Sequence, residues 1–232
     1  MGKTYPIEPV EVEPVATRHR TIGSPIPHPE SVAVLESLRR TEPWCMEGQP
    51  PIVWDRAQGA TVYDAYSNRW IDFTSGVLIT NAGHGRRPMV DAVAETARHG
   101  LLTSYCFPHR IRADLTALLQ KCAPRPDDKV MLLSTGSEAV ELSIKLCRAR
   151  AADGNVGPEV GSDVGRARVF VSFDHSFHGR TLGSQLAGGI PSLKQWIGFG
   201  EDDFIQVPFP DGARCDPADM TFDAFEHHLQ RQ

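Results

Sequence analysis

Two short stretches of the chain hold residue types whose spacing suits chemistry. Ser134-Thr135-Gly136-Ser137 sits between the apolar run Val130-Met131-Leu132-Leu133 and Glu138 to Ala152, which reads as a helix apolar on most faces. A strand that feeds a helix through such a turn gathers unpaired backbone N–H groups, hydroxyls and the positive end of a helix dipole, and that combination suits a phosphate. Gly136 lets an oxyanion approach the backbone, while Thr135 and Ser137 bring hydroxyl donors. Taken alone, the four residues read better as a plain helix cap made by Ser134 or Thr135. The second stretch, Phe177-His178-Gly179-Arg180-Thr181, follows the expected strand Arg168 to Phe173 by a few residues. That places it at a strand's carboxyl end, where open α/β sheets hold their ligands. Phe177 offers a face for a flat ring, and Arg180 offers a planar fork that grips a carboxylate in two places. Without the first stretch, Phe177 would read as a core aromatic and Arg180 as half of a surface ion pair.

The elements needed to position these residues follow from the pattern of the chain. Residues 1 to 30 carry Pro6, Pro9, Pro14, Pro25, Pro27 and Pro29 and read as an arm without regular structure that lies on something else. Residues 31 to 85 form a small segment. Val32, Leu35 and Leu38 mark a helix over Ser31 to Arg40 with Ser31 as its cap. Ile52 to Trp54, Ala60 to Tyr63 and Trp70 to Phe73 mark three antiparallel strands, turning at Gln58-Gly59 and Ser67-Asn68. Residues 86 to 232 read as part of a large α/β domain. Helices are expected from Pro88 to Leu101 and from Ile111 to Cys122, and strands at Val130 to Leu133, Arg168 to Phe173 and Phe204 to Val207. Asp153 to Gly165 is a glycine-rich loop, and a last helix runs through Phe222, Phe225 and Leu229 behind Thr221.

The chain's 232 residues, 41% hydrophobic and 23% charged, suffice for a sizeable core and one or at most two domains. A net charge of -5, from 24 basic and 29 acidic residues, leaves no electrostatic footprint for nucleic acid or an anionic membrane. Five cysteines, odd in number and without a C-x-x-C pair, point to a reducing cytoplasm and away from a disulfide framework or structural zinc. Neither a signal peptide nor a membrane-spanning run is indicated. Asp174-His175 with His178, and His227-His228, match no established zinc spacing. The sequence also holds no Walker phosphate loop, no dinucleotide fingerprint after a strand and no serine-hydrolase elbow.

Ser134 to Glu141, with Lys145 and Arg148 on the same helix, closely resembles the segment of class III aminotransferases that holds the phosphate of pyridoxal 5'-phosphate (PLP). Tyr63-Asp64, Trp70 to Gly76, Gly83-His84-Gly85 with Pro88, and Phe177 to Thr181 resemble further motifs of that family, in the right order, and the resemblance covers roughly residues 50 to 210. It implies a PLP-dependent transferase of fold type I: the arm and small mixed segment come first, then the first part of the large, mostly parallel sheet domain. Thr135, Gly136 and Ser137 would hold the cofactor phosphate, Phe177 would stack on its ring with His178 beside it, and Arg180 would bind a substrate carboxylate, as in ornithine-type and acetylornithine-type members. The implied reaction moves an amino group from an amine or amino acid to a 2-oxo acid, in a homodimer.

Gly85 stands where a polar residue is commoner in the family, the Asp153 to Gly165 loop looks like an insertion, and the chain ends early. The family's Schiff-base lysine and the acid beside the pyridine nitrogen would follow Gln232. Among the lysines present, Lys145 would lie roughly 12 Å along its helix from the phosphate, and Lys194 has no counterpart as a Schiff-base residue. No catalytic residue is assigned. A decarboxylase or aminomutase would use the same cofactor cup, and a non-catalytic fragment or degenerate homologue would keep the cup without the chemistry. A fragment ending at Gln232 is expected to leave apolar surface uncovered.

Overall fold

The computed structural model describes residues 4–46, 48–152 and 169–209. These divide between two compact units, Met1–His109 and Arg110–Gln232.

The first unit is built on a five-stranded antiparallel sheet in the order β1-β2-β5-β4-β3. Its strands are β1 (Val15–Ala16), β2 (Thr21–Ile22), β3 (Arg56–Gln58), β4 (Thr61–Tyr63) and β5 (Arg69–Ile71). The arm therefore contains structure that its prolines argued against. Pro14 and Pro25 flank the hairpin rather than interrupt it, and Thr17 closes the turn by accepting from the Arg20 amide at 2.9 Å. The arm lies on the meander: Thr21 pairs with Arg69, the Gly23 amide donates to Asn68 Oδ1, and His28 stacks on Tyr66 with ring centroids 3.6 Å apart.

The first meander strand lies at Arg56–Gln58, not at Ile52 to Trp54. Gln58 pairs with Thr61, leaving a two-residue turn with Gly59 at φ 60°, and a turn that tight requires the strand to run right up to it. Ile52, Val53 and Trp54 instead line an apolar groove with Leu35, Leu38 and Trp70. Helix α1 (Val32–Thr41) forms as expected, but Ser31 does not cap it. Its hydroxyl donates to the His28 carbonyl, while His28 Nδ1 accepts from the Glu30 amide of a preceding 3-10 turn. A left-handed turn, α2 (Ser75–Leu78), and a helix with proline in its first turn, α3 (Arg87–Arg98), follow in this unit.

In the second unit, α4 (Arg110–Lys121) precedes α5 (Gly136–Ala152), β6 (Phe170–Phe173), α6 (Leu182–Ala187), α7 (Pro191–Lys194) and β7 (Phe204–Val207). β6 and β7 are parallel, with Phe170 opposite Phe204, and their rings stack at 5.4 Å. The parallel crossover runs through α6 and α7. Leu186, Ala187, Ile197 and Phe204 form the buried core, with Ile144 of α5 and Phe170 packed against it.

Val130 to Leu133 forms no strand, and its Met131 is 67% exposed. A β-branched or apolar run becomes a strand only beside a ladder partner, and among the described residues none pairs with it. The glycine-rich loop and the expected last helix lie outside the described residues. No helix among those described is long and apolar enough to cross a membrane.

Candidate functional site

Thr135 and Glu138 cap the start of α5 reciprocally. Thr135 Oγ1 accepts from the Glu138 amide at 3.1 Å, while Glu138 Oε2 accepts from the amides of Ser134 and Thr135 at 2.9 and 3.1 Å. This arrangement satisfies three N–H groups, those of Ser134, Thr135 and Glu138. Those of Gly136 and Ser137 find no acceptor among the described residues. In front of Gly136 the space is open, with no atom within 4 Å of where a Cβ would stand. The cap reading and the phosphate reading thus coexist. Accepting from Glu138 leaves the Thr135 O–H free to donate, and the two remaining amides lie at the positive end of the α5 dipole.

The second stretch folds against this turn. Ser137 Oγ accepts from the Arg180 amide at 3.2 Å. Gly179, at φ 134°, brings its backbone so close that a Cβ there would collide with the Ser137 and Ser184 hydroxyls. Glycine is therefore required on both conformational and steric grounds. Upstream, His175 in a left-handed conformation donates its amide to the Gly189 carbonyl, and the Gly189 amide donates to Ser176, closing the end of β6. Phe177, 61% exposed, shows an uncovered ring face. His178 is half-buried and Arg180 exposed, and neither side chain has an ionic partner among the described residues.

Sequence reasoning missed Glu141, whose spacing from Ser137 was the available signal. Glu141 Oε1 accepts from the Thr181 hydroxyl at 2.6 Å and from the Ser184 amide at 3.0 Å. Burial pushes its carboxyl up, but the Thr181 hydroxyl and the Ser184 and Gly183 amides outweigh this and hold it below the ordinary 4.5. Lys194 is equally committed. Its Nζ donates to the Leu186 carbonyl at 3.0 Å and to Gln206 Oε1 at 2.8 Å.

A separate carboxylate organises the first unit. Asp72 Oδ1 accepts from the amide and hydroxyl of Thr74 at 2.7 and 2.6 Å. Its Oδ2 takes the Gly76 amide at 3.0 Å and faces His84 Nε2 at 2.7 Å. The Thr74 hydroxyl first, then His84, hold its carboxyl well below the usual carboxylate range, although burial opposes them. Around this hub Ser75, Gly76, Val77 and Leu78 all have positive φ, from 53° to 66°.

Residues 45–231 match the family described as Aminotransferase class-III. The chain belongs to that family. Among its relatives, the acetylornithine aminotransferase of Halalkalibacterium halodurans is 34% identical over 162 residues, taking in 68% of this chain and 38% of the relative. The isoleucine 2-epimerase of Lentilactobacillus buchneri is 31% identical over 175 residues, 74% of this chain and 36% of that one. The taurine:2-oxoglutarate aminotransferase of Bifidobacterium kashiwanohense, solved with PLP and glutamate, superposes with a TM-score of 0.69 at 25% identity, over 88% of this chain and 44% of that chain. The ornithine aminotransferase of Toxoplasma gondii shares the fold at a TM-score of 0.64 and 22% identity. The expected family and the α/β transaminase fold are borne out, and the chain spans less than half the length of these relatives.

Proposed function

We propose that this class III chain carries the cofactor cup of a PLP-dependent aminotransferase, in which an amino group passes from an amine or amino acid to a 2-oxo acid. The observation that carries the reading is the Ser137 to Arg180 hydrogen bond at 3.2 Å. It draws the phosphate turn and the ring platform together within one unit. Thr135, Gly136 and Ser137 hold the phosphate through two unspent amides and two hydroxyls, Phe177 covers the ring, and His178 lies beside it. Arg180, exposed and without an acidic partner among the described residues, orients a substrate carboxylate. When bound, PLP supplies a carbonyl conjugated to an electron-accepting ring, which holds the amino group between donor and acceptor.

A cytoplasmic homodimer belongs to the same proposal, on the cysteine pattern and the family. The Schiff-base lysine is not assigned to this chain. Lys145 is exposed in the third turn of α5, and Lys194 is engaged by two acceptors. The epimerase relative favours, as a second reading, another class III reaction on the same cup.

Calorimetric titration of the chain with PLP tests the site. Phe177→Ala and Ser137→Ala are each expected to weaken binding about tenfold, the loss of one stacking or charge-assisted contact. Unchanged affinity in both variants would sink the assignment.

A further inference from the structure

We propose that Glu141 is a positioning residue for the cofactor ring: it holds the Phe177–Thr181 loop on α5, so that binding of the ring depends on it and binding of phosphate does not. The proposal rests on the cofactor site described above. Ser137 and Glu141 are four residues apart on α5 and share one stripe of its surface. Gly179 and Gly183 are also four apart and meet them one to one. Ser137 takes the Arg180 amide beside Gly179, and Glu141 takes the Thr181 hydroxyl and the Ser184 amide around Gly183. A Cβ on Gly183 would stand 2.5 Å from Glu141 Oε2, so the backbone of α6 approaches the carboxylate as closely as glycine permits.

Thr181, the N-terminal flanking residue of α6, makes no side-chain cap of its own. Glu141 does that work from another helix, across 40 and 43 positions of sequence. The two ends of the loop are thereby fixed differently. Its entry is set by β6 and the Gly189 clasp, and its exit is set by Glu141 together with the Ser137 hydroxyl, which takes the Arg180 amide. Phe177 and His178 lie between, with no hydrogen bond of their side chains to any described residue, so their placement is inherited from the two ends. The amides of Gly136 and Ser137 owe nothing to this contact. They are presented by the reciprocal cap of Thr135 and Glu138. Glu141 thus acts on the part of the site that meets the ring and not on the part that meets the phosphate.

The experiment titrates the full chain with PLP and, separately, with inorganic phosphate. Glu141→Ala is expected to weaken PLP about tenfold while changing phosphate affinity less than about twofold. Glu141→Gln keeps one acceptor oxygen and is expected to recover most of the loss. Gly183→Ala displaces the carboxylate without altering it, so it weakens PLP in the native background and has no effect beside Glu141→Ala, where the space is free. Equal losses for PLP and phosphate would mark a general defect and overturn the proposal, as would native PLP affinity in Glu141→Ala or a Gly183→Ala effect that persists without the carboxylate. If Phe177→Ala and Ser137→Ala weaken PLP while Glu141→Ala does not, the positioning role alone falls. If none of them matters, or the unaltered chain binds no PLP, the site reading falls and takes this inference with it.

Discussion

Each unit is organised around a carboxylate, and the two do opposite kinds of work. Asp72 gathers groups from its own neighbourhood: Thr74, Gly76 and His84 lie within 12 residues of it. Glu141 gathers groups 40 and 43 residues away. The first fixes a local backbone shape at little cost in chain closure, while the second joins elements that meet only once the domain has formed. Both carboxylates are half-buried, and they differ in what they hold: Asp72 takes four donors. Glu141 takes two. Losing the first should therefore cost stability, and losing the second should cost placement.

The largest expected effect is from Asp72→Ala, which strands four donors at once and should destabilise the first unit by about 3 kcal/mol. Urea unfolding followed through Trp54 and Trp70 fluorescence reads this, and a loss as small as that of an exposed residue would break the contrast. Glu141→Ala should cost the second unit less, about 1 to 2 kcal/mol, as reported by Trp196. Acid should separate the two carboxylates next. Both folded values are depressed, so each contribution is complete above the ordinary value, 3.8 for Asp72 and 4.5 for Glu141. Each is then lost as pH falls from there through the folded value. Glu141 therefore begins to lose its contribution at the higher pH, and Asp72→Asn should flatten the acid limb of the first unit alone. If both limbs moved together, the units would not be separately held. The smallest effect is a gain. Val77→Gly puts glycine where a β-branched residue has φ 61° and should stabilise by about 0.5 to 1 kcal/mol; a loss in thermal melts would mean that the valine side chain contributes more than its backbone strains.

The same contrast explains what was legible in the sequence. β7 was readable to the residue because Phe204 to Val207 is a short, mostly apolar run between Asp202-Asp203 and Pro208. The helix after Gly136 was readable because its cap, Thr135 with Glu138, lies within four positions. The strand at Arg56–Gln58 was not, because an apolar triplet at Ile52 to Trp54 imitates a strand while facing a groove, and only the tightness of the Gly59 turn reveals where pairing begins. Val130 to Leu133 failed for the converse reason: its composition is right, but no described strand lies beside it. The candidate residues Ser137 and Arg180 could be named in advance. Their hydrogen bond, and the carboxylate beside it, could not, because nothing in a one-dimensional pattern says that positions 141 and 184 will touch.

Lys194 gives the second unit a chemical gauge. Its amine is committed as a donor to a backbone carbonyl and to Gln206, whereas Lys121 and Lys145 stand exposed on helices. An aldehyde followed by borohydride is expected to mark the exposed amines in the folded protein first, and Lys194 more slowly, as its bonds to Leu186 and Gln206 open. The yield of label at that one position therefore reads how often those bonds open, in a protein whose expected ligand is itself an aldehyde.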